Sequence, residues 1–251
     1  MATISIAPGP DWIVPDWPAP VRVGSLVTTR RGGSSCGAFA SLNLGDHVGD
    51  DPAAVAANRE LVYQRIGARP VWLNQVHGTR VIDTAARAAS FPPEADAAFA
   101  RQAGVACAVM TADCLPVLLC DTGGRIVAAA HAGWRGLLAG VLEATVAAME
   151  TPGLELIAWL GPAIGPRAFE VGGEVREALV NADPNAAAAF QALGGGKWLA
   201  DIYLLARQRL AGQGVTRVFG GGFCTVSETA RFFSYRRDGR TGRMASLIWL
   251  Y

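Results

Sequence analysis

The sequence predicts a single domain of the α+β class spanning residues 1–251. Three observations carry that prediction. Short apolar runs of β character alternate with helix-length amphipathic windows. No linker-like stretch divides the chain, and no short repeat recurs. Hydrophobic residues make up 51% and charged residues 17%, a balance that suits a buried core rather than a disordered chain.

Taken in order, residues 1–20 are rich in proline and tryptophan and read as an extended lead-in whose aromatics cover part of the core. Residues 21–29 read as a strand, followed by a flexible basic loop at 30–35 that contains Arg30-Arg31-Gly32-Gly33. Residues 41–51 are turn-rich. Asp51-Pro52 then opens a helix over 53–66, with proline near the first helical position, where its missing amide costs nothing. A strand over 71–76 ends at His77. The apolar runs 105–110 and 115–120 are strands, and the turn Asp121-Thr122-Gly123-Gly124 leads to another at 126–130. Leu138, Val141, Leu142, Thr145 and Met149 recur near a 3.6-residue period and predict one helix over 136–150. A strand at 156–160, helices at 174–181, 186–192 and 199–211, and late strands at 215–219 and 246–250 complete the expectation.

Composition excludes several function classes. A formal net charge of +1 argues against a broad nucleic-acid footprint, although a local basic pocket remains compatible with it. Residues 1–5 have neither the basic nor the long apolar region of a secretory leader, so none is expected. No apolar run reaches the roughly 20 residues of a membrane helix; Asp113 and Pro116 interrupt the nearest candidate. The five cysteines form no close-spaced framework, which points to a reducing, cytoplasmic compartment.

Three segments carry the chemistry. His77 follows a strand in Asn74-Gln75-Val76-His77-Gly78, where the glycine permits a sharp turn. Cys114 lies in Thr111-Ala112-Asp113-Cys114-Leu115-Pro116, at a polar break between two apolar runs. His131 begins His131-Ala132-Gly133-Trp134-Arg135-Gly136, at a glycine-rich strand-to-helix turn. Each has a plain structural reading: a surface-turn histidine, a half-buried cysteine beside a capping aspartate, and a satisfied histidine in a packed turn. Together, two histidines and a cysteine form a ligand set that suits a catalytic zinc with an open position. The same Cys114 suits a nucleophile with a histidine as base. Asp113 is a candidate to orient a ligand or relay a proton. Basic residues cluster at Arg30-Arg31 and again from Arg231 to Arg243, and arginine forks suit phosphate or carboxylate. Arg31, Arg135 and Arg237 are the phosphate-binding candidates; His47 reads as a loop residue, and Cys224 as a packed thiol.

These segments occur together and in an order that resembles the YfiH/laccase-domain family. Thr29-Arg30-Arg31-Gly32-Gly33, Ser41-Leu42-Asn43-Leu44-Gly45, Gly161-Pro162-Ala163-Ile164-Gly165 and Phe233-Ser234-Tyr235-Arg236-Arg237-Asp238 extend the match from about Thr28 to the C-terminus. The family is described both as multicopper polyphenol oxidoreductases and as purine nucleoside phosphorylases. The resemblance implies a mixed αβ sandwich related to the cytotoxic necrotizing factor catalytic fold, with zinc held by His77, Cys114 and His131. It implies phosphorolysis of adenosine, inosine, guanosine and methylthioadenosine, and deamination of adenosine, on small-molecule substrates rather than nucleic acid or membranes. It also implies a copper-dependent oxidation of phenols. Three histidines are too few for the usual multicopper cluster, although imidazole–thiolate ligation itself admits copper. A cysteine hydrolase and a non-catalytic metal-binding module are the alternatives, and oligomeric state is not encoded legibly.

Overall fold

Strand β6 (Leu115–Asp121) is buried along its whole length, because its two faces serve different cores. Leu115, Val117 and Leu119 face one cluster, and Leu118 and Cys120 face another. A strand covered on both sides reads as a continuous apolar run, which is how it stands out in the sequence. The computed structural model describes residues 11–86 and 92–251.

In chain order the remaining strands are β1 (Val23–Val27), β2 (Arg69–Val71), β3 (Val81–Asp83), β4 (Ala97–Ala100), β5 (Val105–Thr111), β7 (Val127–Ala132), β8 (Leu156–Leu160), β9 (Glu170–Gly172), β10 (Phe190–Gly194), β11 (Lys197–Ala200), β12 (Arg217–Gly220) and β13 (Met244–Leu250). The helices are α1 (Pro52–Ile66), α2 (Trp134–Ala139), α3 (Val141–Met149), α4 (Gly173–Ala182), α5 (Ile202–Gly212) and the short α6 (Tyr235–Asp238). One sheet has the order β1-β13-β5-β2, and a larger one β12-β8-β6-β7-β4-β3; a small sheet, β10-β11-β9, stands apart from both.

The two large sheets share an apolar layer. Val23, Val27, Cys107, Val109, Ile248 and Leu250 of the first meet Leu118, Cys120, Val127, Ala129 and Ile157 of the second. On the far side of the first sheet, Val62 and Ile66 of α1 pack with Leu26, Met110, Leu247 and Trp249. On the far side of the second, Leu137, Leu142, Met149, Leu179 and Leu205 cover Ala128, Ala130 and Leu119. The result is a layered mixed αβ architecture. Alternate side chains on each strand point to opposite faces, so every central strand contributes to two layers.

Helix α1 starts as its sequence dictates. The Asp51 side chain accepts from the Ala53 amide, Pro52 occupies the first turn, and Gly67 closes the end at φ 68°. Its buried Asn58 is a bracket. It donates to Ser35 Oγ and to the carbonyls of Ser41 and Asn43, and accepts from the Ser34 amide, pinning the basic and turn-rich loops together.

Several expectations need correction. The helix over 136–150 is two helices, because Gly140 adopts φ 98° and ends α2 before α3 begins. The alanine-rich stretch 186–192 is not an α-helix: a 3₁₀ segment, Pro184–Ala189, passes directly into β10. Residues 197–200 form a strand, and α5 begins only where Asp201 caps it by accepting from the Leu204 amide. The strand expected at 71–76 is reduced to β2, with Asn74 making an isolated bridge to Glu94. Of the lead-in, residues 1–10 lie outside the described residues. Trp12 is buried, and Trp17 Nε1 donates to Ser25 Oγ.

The turn at 121–124 has a testable consequence. Burial alone would raise the Asp121 pKa, but the amides of Ile126 and Arg125 and the Arg125 guanidinium outweigh it and hold the carboxyl below its usual range. Its folded pKa is therefore depressed relative to the unfolded chain. The stabilisation is complete above the unfolded value of about 3.9 and is lost as pH falls through the folded one. Asp121→Asn is expected to destabilise the protein at pH 7 by about 1–3 kcal/mol and to flatten the acid limb of the stability profile. Denaturant melts across roughly pH 2.5–7, which brackets the carboxylate pKa, check both effects.

Candidate metal centre

Strands β5 and β6 belong to different sheets, yet only residues 112–114 join them. The chain crosses from sheet to sheet through Asp113, at φ 90°. Its carboxylate does not face the candidate ligands. Oδ1 accepts from Thr225 Oγ1 at 2.5 Å and Oδ2 from the Arg236 amide at 2.6 Å, while its carbonyl accepts from the Ile164 amide. Asp113 thus fixes the crossing to three other segments, and Cys114 emerges half-buried at the seam.

His131 stands near the end of β7, opposite Pro116 of β6. It is buried, and its Nδ1 lies 2.8 Å from Asp96 Oδ1. Asp96 is fully buried directly before β4 and organises the other histidine as well. Its carboxylate accepts from the amides of Val76, His77 and Gly78 at 3.2, 2.9 and 2.7 Å. One carboxylate therefore holds both the His131 ring and the loop that presents His77, which sits at φ 61°. Burial works against the ionised form of Asp96, but the His131 hydrogen bond and the loop amides lower its pKa nonetheless.

The three candidate ligands meet. Cys114 Sγ lies 3.8 Å from His77 Nε2, and the two imidazole rings make an edge contact with centroids 4.8 Å apart. One ligand atom from each of His77, Cys114 and His131 falls within 4.8 Å of the others. Gly133 leaves the room for this: a β-carbon there would sit 3.0 Å from Cys114 Sγ and 3.1 Å from His77 Cδ2. Burial disfavours the Cys114 thiolate, yet the His131 charge and hydrogen bonds from both histidines bring its pKa down to about 6. Burial likewise disfavours imidazolium at His131, but Cys114 and Asp96 raise its pKa to about 9.

The donor set fits a metal. A carboxylate on Nδ1 makes that nitrogen the donor and leaves Nε2 of His131 as the free ligand atom; this is the usual outer partner of a metal-bound histidine. The thiol is already poised to ionise, as a thiolate ligand must be. Bonds of roughly 2.0–2.3 Å to one ion require only a small inward movement of these side chains.

Two clefts open on this cluster, and His77, Cys114 and Tyr235 line both. One also takes in His131, His47 and Arg243; the other takes in Trp134, Arg135, Ile164, Phe169 and Ile202. Of the three arginines expected to bind phosphate, only Arg135 lines a cleft, with its guanidinium 4.5 Å above the Trp134 ring. Arg237 is committed to the structure: it donates to the carbonyls of Thr225, Val226 and Phe232 and pairs with Asp238. Arg31 pairs with Asp11 and donates to the Ala230 carbonyl, away from the residues lining either cleft.

Sequence reasoning missed Asp96 and Tyr235. The first carries a signal: an acid directly before the apolar run 97–100 must find partners if the run is buried. The second enters the sequence only within the terminal motif 233–238 and carries no signal of its own, yet it lines both clefts and is 62% exposed.

The sequence family described as multi-copper polyphenol oxidoreductase laccase matches residues 24–251. The chain belongs to this family. Among similar proteins, a purine nucleoside phosphorylase of Pseudomonas aeruginosa is 60% identical over 95% of this chain and 98% of its own length. The purine nucleoside phosphorylase YfiH of Escherichia coli K12 is 55% identical over the same shares. A crystal structure of a Neisseria meningitidis protein superposes with a TM-score of 0.94 at 57% identity, covering 96% of this chain and 99% of that one. YlmD from Geobacillus stearothermophilus gives 0.85 at 32% identity, covering 91% and 92%. Among the described residues no helix is long and apolar enough to cross a membrane.

Proposed function

We propose that this chain is a zinc-dependent purine nucleoside phosphorylase acting on adenosine, inosine, guanosine and methylthioadenosine, and that it also deaminates adenosine. The observation that carries the reading is the convergence of His77, Cys114 and His131 on one point open to two clefts. The names of the relatives support the reaction class. Thiolate with two imidazoles is a zinc set that serves copper as well, the alternative that the family description raises. Bound there, the metal would supply Lewis acidity at neutral pH.

The chain's own residues do the rest. Asp96 fixes the tautomer of His131 and the presentation of His77. Asp113 holds Cys114 and the Tyr235 turn in register through its two hydrogen bonds. In phosphorolysis a phosphate oxygen bonds to C1′ as the glycosidic C–N bond breaks and the purine leaves with the electron pair. The site must therefore seat an anion beside a flat, largely apolar base. In deamination water replaces the C6 amine and ammonia leaves. Five free thiols suit a reducing, cytoplasmic setting.

One specific observation favours a second reading. The lowered Cys114 thiol beside a histidine that is itself paired with Asp96 has the form of a cysteine hydrolase. Metal analysis of protein purified without added metal, followed by a nucleoside panel with and without phosphate, decides between them. The expected result is about one equivalent of zinc per chain, in line with one three-ligand site, with phosphate-dependent base release that chelation abolishes and zinc restores. Protein that releases no base from any nucleoside but, after metal removal, still hydrolyses an acyl ester through a thioester at Cys114, with the alcohol leaving, would establish the hydrolase instead.

A further inference from the structure

A two-substrate reaction needs two subsites that meet at one reacting centre, and the candidate metal centre has two clefts of nearly equal size, about 370 and 350 Å³. Volume does not tell them apart, but their linings do. We propose that Arg243 anchors the inorganic phosphate in the first cleft, that the second seats the purine, and that Tyr235 partitions them. The assignment of substrates rests on the phosphorylase reading; the anion site itself rests on Arg243.

Arg243 is a charge held in place without being neutralised. Its aliphatic stem passes over Gly45, where a β-carbon would approach Cγ to 2.8 Å. Its backbone amide donates to Asn43 Oδ1, and Nη1 donates to the carbonyls of Thr241 and Gly242. Those bonds orient the guanidinium but carry no formal negative charge. Among the described residues Arg243 has no carboxylate within salt-bridge distance, and no carboxylate lines the first cleft. The acid whose charge reaches it, Asp113, is spent on Thr225 Oγ1 and the Arg236 amide, and Asp46 is shared between Arg59 at 3.2 Å and His47 Nδ1 at 3.6 Å. Nε and Nη2 have no hydrogen-bond partner among the described residues, and a guanidinium with two unspent donors matches the oxygens of a phosphate. His47 lines the same cleft and, with Nδ1 facing Asp46, has Nε2 left to offer.

The second cleft differs. Trp134, Ile164, Phe169 and Ile202 give it aromatic and aliphatic walls. Its arginines already lie on aromatic faces: Arg135 over Trp134, and Arg236 over Phe169 while donating to the Glu170 carbonyl. Such a lining suits a flat heterocycle more than a small, strongly hydrated anion. Both clefts share His77 and Cys114, so the sugar carbon between base and phosphate would lie over the cluster.

The test titrates inorganic phosphate into the metal-loaded protein by calorimetry, for the wild type, R243M and R243K, with thermal melts to establish folding. Methionine keeps the stem over Gly45, and lysine keeps the charge but not the fork. The wild type is expected to bind phosphate, and R243M to bind it about tenfold to a hundredfold more weakly, as for one lost charge-assisted contact. R243K should lose less in the same direction, and it decides the matter if R243M does not fold. In phosphorolysis the loss should appear in KM for phosphate, with KM for the nucleoside unchanged. No phosphate binding by the wild type, unchanged affinity in the variants, or equal rises in both KM values overturns the assignment. Phosphate bound through Arg243 by a protein that cleaves no nucleoside leaves the anion site standing and removes the phosphorylase reading.

Discussion

Asp96→Asn is expected to unfasten both histidines at once. The substitution keeps the shape of the side chain but replaces one acceptor oxygen with an NH₂ donor. That donor must face either His131 Nδ1 and the His77 amide, which Oδ1 serves, or the amides of Val76 and Gly78, which Oδ2 serves, and all four need acceptors. Because Asp96 is fully buried, water cannot take over the lost bonds. Breaking one side of a buried charged network typically costs about 3–5 kcal/mol. Loss of an outer partner of a metal-bound histidine typically weakens metal binding by about 10–100-fold. Denaturant melts and a competitive zinc titration read the two effects separately. A variant with parental stability and parental zinc affinity would falsify the role given to Asp96.

Cys114→Ser should separate ligand from nucleophile. Serine preserves the size of the side chain and the half-buried seam position, so stability should change by no more than about 1 kcal/mol. A ligand role predicts a fall in zinc affinity beyond the roughly 10–100-fold expected for an outer partner, and activity that tracks occupancy as zinc is added back. A nucleophile role predicts unchanged zinc content with activity lost at every zinc concentration. His77→Ala and His131→Ala should follow the metal pattern, each removing one of three donors. Full occupancy and full turnover in Cys114→Ser would exclude both roles.

The sequence was most legible where one physical rule acts alone. The cap at Asp51-Pro52 and the apolar run of β6 follow from local chemistry, and both stand as expected. The turn at Asp121 does too, since its own side chain satisfies the amides that close it. The three ligand candidates were visible because a histidine or cysteine beside a glycine, or at a break in an apolar run, has few uses. Legibility failed where tertiary partners decide. Residues 190–200 form strands only because they pair with each other and with β9; their alanine and glycine content says nothing of it. Gly140 lies within a helical period and still breaks it. The arginines misled because charge alone does not reveal whether a guanidinium serves carbonyls, as Arg237 does, or a cleft.

The three-residue crossing at Asp113 has a mechanical consequence. Cys114 and His131 are carried by one sheet, whereas Arg243 directly precedes β13 of the other. The span from the candidate ligands to that guanidinium therefore depends on the apolar filling between the sheets, about 10 Å thick in stacked sheets generally. Val109, Leu118 and Ile248 act as shims in that gap. Trimming one would alter the reach between the two chemistries without touching either, so in this architecture the calibration of the site is written into residues that never meet the substrate.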